Sequence, residues 1–250
     1  VTVQGNFSAD GGTIKLDGNY PVGTNNVALG DAALDSVEAG GVSNVAIGSA
    51  ALTSNTTADS NTAVGTYASY TTTTGSNNTS LGHTALYSNT TGAANTALGK
   101  EALQANTTAS NNTAVGYQAG YNNTTGNSIV AVGKSSLTAN TTGSRNVAVG
   151  FSALETNTTG NNNTAVGNAS LEANTTGGTN AAFGRNSMLN NTTGSYNTGL
   201  GESSFVSNTT GQYNTAVGSG SLRSNTTASN NTAVGYQASY SNTTGTGNTS

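Results

Sequence analysis

Asn146-Val147-Ala148-Val149-Gly150-Phe151-Ser152-Ala153-Leu154-Glu155-Thr156-Asn157-Thr158-Thr159-Gly160-Asn161-Asn162 is one period of a seventeen-residue repeat. The glycine that closes its first five residues recurs at Gly48, Gly65, Gly82, Gly99, Gly116, Gly133, Gly150, Gly167, Gly184, Gly201, Gly218 and Gly235, every interval being 17. An earlier copy ends at Gly30, one residue out of phase. A period held this strictly marks an architecture in which each unit stacks on the next.

Read down its columns, the repeat becomes physics. The residue before the glycine is always apolar (Leu29, Ile47, Val64, Leu81, Val115, Val149, Phe183), and the one before it is Ala, Ser or Gly. In a strand these neighbours point to opposite faces. The aliphatic column is therefore expected to fill a core. The small column is expected to meet something close, either an axis where several chains join or a narrow solenoid interior. Asn opens the unit (Asn61, Asn95, Asn112, Asn146, Asn163), with Ile129 the exception, and Thr or Val follows it. After the glycine comes a small-Leu pair such as Ala102-Leu103 or Ala153-Leu154. Three copies carry Ser69-Tyr70, Gly120-Tyr121 and Ser239-Tyr240 there instead, with Tyr expected to replace Leu as core filler. An Asn-Thr-Thr segment closes the unit, as at Asn89, Asn106, Asn140 and Asn157, and only Thr72 breaks that column.

Runs of three or four residues bounded by Gly and Asn, rich in Thr and Val, suit strands rather than helices. The fold expected is all-β: a parallel β-solenoid, or β-roll, of about thirteen seventeen-residue coils. Each coil would hold a strand, a glycine corner at Gly65, Gly116 or Gly150, a second short strand around Ala-Leu, and a polar turn. Coils at roughly 4.8 Å spacing would make a rod on the order of 60 Å long. Equivalent residues fall above one another, so the Asn columns can form amide ladders and Val64, Val115 and Val149 an aliphatic one. Residues 1–24 do not repeat and are expected to cap or connect; residues 25–250 form the solenoid, expected to continue beyond Ser250.

One coil cannot stand alone. Its two large apolar side chains are worth roughly 1.5–3 kcal/mol apiece when buried. Ordering each residue costs about 1–2 kcal/mol of backbone entropy. Stacking must close that gap, and association of several chains would add burial, so a homotrimeric fibre is expected.

Composition excludes several functions. Six basic and ten acidic residues give a net charge of −4, so there is no basic patch to bind nucleic acid. There is no cysteine, hence neither disulfide nor thiolate chemistry. No apolar stretch approaches the ~18 residues of a membrane span, so this segment is not expected to insert into a membrane. An enzyme needs unique residues converging on one pocket. His83 is the sole histidine and sits in a variable slot, and no two acids recur at a fixed spacing. Asp10 and Asp17 lack the ligand density of a calcium loop. No catalysis, metal or cofactor is expected.

The unit resembles the head repeats of trimeric autotransporter adhesins, matched by Asn44-Val45-Ala46-Ile47-Gly48 and Asn146-Val147-Ala148-Val149-Gly150. It is also similar to the Asn-Thr-Thr-Gly-rich repeats of phage tail-fibre-type proteins. The resemblance spans residues 25–250 and implies a left-handed β-roll in a homotrimer, on a virion or cell surface. It implies a shaft or head used for attachment, with itself as first partner and host glycans or a receptor as the second.

Three further readings compete for particular residues. Asn89, Asn106, Asn140 and Asn157 are formal N-glycosylation acceptors, which would suit a self-assembling glycosylated extracellular filament; the alternative is that they serve turns and ladders. Tyr117, Tyr121, Tyr236 and Tyr240 are candidates for stacking on glycans. A threonine-rich solenoid can bind ice, but the strand threonines are interrupted by Val45, Val130, Val147 and Ala181.

Overall fold

The computed structural model describes residues 14–15, 23–38 and 40–250. Thirteen three-residue strands stack in chain order into one parallel sheet. They are β2 (Val27–Leu29), β3 (Val45–Ile47), β4 (Thr62–Val64), β5 (Thr79–Leu81), β6 (Thr96–Leu98), β7 (Thr113–Val115), β8 (Val130–Val132), β9 (Val147–Val149), β10 (Thr164–Val166), β11 (Ala181–Phe183), β12 (Thr198–Leu200), β13 (Thr215–Val217) and β14 (Thr232–Val234). Register is one repeat per coil throughout, for example Thr113 opposite Val130 and Val115 opposite Val132. The parallel β-solenoid is as the period predicts. Before it, β1 (Ile14–Lys15) pairs antiparallel with β2, so it lies along the first coil's edge. The rest of the expected cap or connector falls almost wholly outside the described residues.

The two faces of each strand are exchanged relative to expectation. The middle residue, Ala in most strands, is fully buried inside its own coil: Ala46, Ala114 and Ala148 have no exposed area. The aliphatic residue before the glycine points out. Leu29, Ile47, Leu81, Phe183 and Val234 are exposed, and Val64, Val115 and Val149 are half-buried. The cause is the width of the coil. With backbone on both sides of a thin interior, only Ala, Ser or Gly fits at the strand centre. So the small column needs no second chain to explain it.

The large core residue comes from after the glycine, and its backbone is unexpected. No second strand forms around Ala-Leu; the segment is a run of turns. The buried residues Leu52, Leu103, Leu154, Met188 and Phe205 all take φ between +50° and +54°. The left-handed conformation costs an L-residue about 1–2 kcal/mol. Full burial of Leu contributes roughly 1.5–3 kcal/mol, and the backbone is tied to the next coil, Leu103 N–H donating to Ala119 O at 3.0 Å. Burial wins. Where Leu is missing, tyrosine does not replace it. Ser69 and Gly120 hold the buried slot, and Tyr70 and Tyr121 lie outside, half-buried.

The glycine column has two reasons at once. Gly65, Gly116 and Gly150 take φ of +136°, +133° and +137°. A Cβ on Gly150 would also lie 2.5 Å from the carbonyl oxygen of Gly167 in the next coil. No other residue meets both conditions.

Candidate functional site

Inside the coil, two asparagine columns do different work. The column opening the strand links side chain to backbone. Asn95 Oδ1 accepts the N–H of Asn112 at 3.0 Å, and its Nδ2 donates to Ala109 O at 2.9 Å, tying the strand to the far side of its own coil. Asn61, Asn112 and Asn163 repeat this pattern, and Asn146 makes the same cross-coil bond to Gly160 O. At Ile129 no amide is available, and the column is interrupted.

The second column, from the Asn-Thr-Thr turn, is a true amide ladder. From Asn106 to Asn208, each Nδ2 donates to the Oδ1 of the previous coil at 2.7–3.0 Å, while Asn89, at the start of the ladder, donates to Thr72 Oγ1 at 3.4 Å. Each also pins its own turn, as Asn106 Nδ2 does on Ala109 O at 3.0 Å. Asn89, Asn106, Asn140 and Asn157 are fully buried. An N-linked sugar would need the very nitrogen that each of these residues here spends on its turn and its ladder. The next residue adds a third ladder: Thr107 Oγ1 donates to Thr124 O at 3.1 Å, and Thr124 Oγ1 to Thr141 O at 2.9 Å. The second threonine is exposed in every coil from Thr57 to Thr244.

Outside, two columns of outward-pointing residues contrast. One is the strand face: the first and third residues of β2 to β14. Every one is Thr, Val, Leu, Ile, Ala or Phe, and none is charged. The other is the slot after the glycine, which runs through Asp31, His83, Lys100, Tyr117, Lys134, Phe151, Asn168, Arg185, Glu202 and Tyr236. Its members settle with one another as solvated side chains do. Lys100 Nζ lies 5.6 Å from the Tyr117 ring centre and 3.1 Å from Glu101, Lys134 lies 5.6 Å from the Phe151 ring centre, and Arg185 pairs with Glu202. The Glu101 carboxyl is held below its usual range by a hydrogen bond from Gln118 and then by Lys100. Burial, and then the neighbouring Glu155, push the Glu172 carboxyl up.

The tyrosines proposed for glycan stacking fall into two groups that do not meet. Tyr117 and Tyr121 lie seven coils from Tyr236 and Tyr240, roughly 34 Å at strand spacing. Tyr236 is the most open, at 77% exposure; Tyr117 and Tyr240 each carry a cation over the ring, Lys100 and Arg223 respectively. Two other aromatic groups were missed. Tyr70 and Tyr87 stack at 5.2 Å with Tyr67 edge-on to both, and Tyr196 stacks on Tyr213 at 5.0 Å. Both stacked pairs are seventeen residues apart, so the period itself could have found them.

A shallow recess of about 420 Å³ is lined by Asn127, Ser128, Ser144, Arg145, Asn161 and Asn162. Its polar groups are largely spent on one another, Asn127 N–H donating to Ser144 Oγ and Ser144 N–H to Asn161 Oδ1. Among the described residues no three His, Asp or Glu lie together as metal ligands, and His83 is an exposed neighbour of Tyr67. Asp10 and Asp17 lie outside the described residues. Among the described residues no helix is long and apolar enough to cross a membrane. Comparison of the chain with family models, with curated proteins and with solved structures finds no match.

Proposed function

We propose that this chain is a non-catalytic structural repeat, a rigid stretch of an extracellular fibre that associates with copies of itself through its strand face. The observation that carries this is the outward face of β2 to β14, uncharged over its whole length while the neighbouring exposed slot varies freely. A long outward sheet face without charge is a surface that other proteins protect or cover. A trimer, as the motif's resemblance to adhesin heads implies, would bring three such faces together about one axis. The axis would then be lined by Val, Leu and Thr, since the alanines are occupied within each coil. Side-chain ladders that link most of the coils suit a body that works by reach and multivalent display, to a host surface or receptor.

Native mass by light scattering tests it: three times 24.5 kDa supports the trimer. A single-chain mass would overturn self-association. A second reading then gains from the exposed threonine column between Thr57 and Thr244, a regular rank of hydroxyls suited to an ordered lattice such as ice. Thermal hysteresis of the monomer would check it.

A further inference from the structure

The repeat is its own control for what a packed position looks like. Several inward slots that depart from the pattern do so beside a second departure. Ser69 replaces Leu where Ser80 replaces Ala, a match of polarity and not of volume, their hydroxyls 2.9 Å apart. Gly120 replaces Leu where Ile129 replaces Asn and packs into the space; a Cβ on Gly120 would lie 3.5 Å from Ile129 Cδ1. Gly199 replaces Ala where its Cβ would lie 2.8 Å from Met188 Cγ. Packed sites conserve volume because neighbours cannot yield. Solvated sites need not, and the slot after the glycine changes size and charge from coil to coil with no such partner.

The strand face has one large departure, at β11. Phe183 is the largest residue of its column, and Ala181, two residues before it on the same face, is the smallest of its own. Gain and loss of volume coincide, as they do inside the coil, although Phe183 is 42% exposed in the single chain. The face therefore behaves as a packed one.

We infer that the strand face packs on a second copy of this chain, parallel and level for level, and that the Ala181/Phe183 coil sets that register. The inference rests on the self-association proposed above. Level-for-level packing sets β11 on β11, where each ring finds the room its neighbour's alanine leaves. A slip of one coil sets Phe183 against Thr164 and Val166 or against Thr198 and Leu200. Antiparallel packing of the thirteen strands sets it against Thr79 and Leu81 of β5. None of these offers room. The strip is about 60 Å by 10 Å at strand spacing and rise, so each chain buries about 600 Å² whether against one copy or shared between two about an axis, at the lower edge of a stable interface. At that size the misfit of one level is felt.

The test compares the dissociation of the assembled chain with that of Ala181→Thr, Phe183→Val and the double variant. Each substitution installs the residue most other coils carry, so the fold is expected to survive, as circular dichroism would show. A single cysteine at Thr164→Cys, in a chain without cysteine, reports register through a short bis-maleimide. Ala181→Thr alone is expected to weaken assembly tenfold or more, the double variant to restore it, and Thr164→Cys chains to cross-link to one another. If the wild-type chain assembles but Ala181→Thr assembles equally well and the cysteines do not link, the register inference is wrong while self-association stands. A wild-type monomer overturns both.

Discussion

The strand face and the slot after the glycine are both outward columns running the length of the same rod, yet they obey different rules. Within one coil, Val149 is half-buried and Phe151 is 50% exposed and larger. By apolar area alone Phe151 would be the stickier residue. But its column tolerates Asp31, Lys134 and Glu202, and that of Val149 holds nothing charged. Exposure in a single chain thus says little about role; restriction repeated over thirteen coils says more. The repeat supplies thirteen trials of the same position, which an ordinary globular domain does not.

The largest effect expected from this contrast is on assembly. Val149→Lys places a charge in the strip and should reduce the native mass to that of one chain, 24.5 kDa, while Phe151→Lys should leave the mass unchanged. Equal behaviour of the two variants in light scattering would erase the distinction between the columns.

A second, smaller effect calibrates what packed compensation looks like. Ile129→Asn restores the amide column but empties the space beside Gly120, and should cost about 2 kcal/mol in denaturant titration. Adding Gly120→Leu, at a position where φ is +61° and the Leu of other coils is equally left-handed, should recover at least about 1 kcal/mol of it. Strict additivity would mean that the two departures are unrelated, and would weaken the same argument for Ala181 and Phe183.

Much of this was legible from the period. The strand triplets, the glycine corners and the amide ladders follow from stacking identical residues, and Asn106 and Asn140 sit where such a ladder needs them. What was not legible is which strand face is inside. Thr-Ala-Val has an apolar side chain on either face, and the choice depends on the bore of the coil, a property of how all seventeen residues close. Nor does local propensity announce Leu103 or Leu154 at positive φ; a strand-like reading of Ala-Leu is the cheaper local conformation, and the tertiary burial of Leu overrides it. Nothing in the motif marks the two aromatic pairs: Tyr87 follows Leu86 in an otherwise ordinary coil, and Tyr196 and Tyr213 lie in a variable turn slot.

The smallest effect concerns charge on a variable column. Burial and Glu155 raise the Glu172 carboxyl, so the folded coil holds that proton more tightly than the unfolded chain does. Its contribution to stability is present at low pH and declines as pH rises through the carboxylate range to the raised value. Glu172→Gln should therefore raise the melting temperature slightly at pH 7, with the difference vanishing by about pH 3. A constant difference across that range would show that the charge is not the cause.

The proposal that the strand face is covered by another copy is tested most directly by the reactivity of single cysteines placed in the two columns of one coil. In the native protein, a thiol from Val149→Cys should react with a maleimide far more slowly than one from Phe151→Cys, and the two rates should converge in denaturant. Equal native rates would show the strand face open to solvent and would contradict the account.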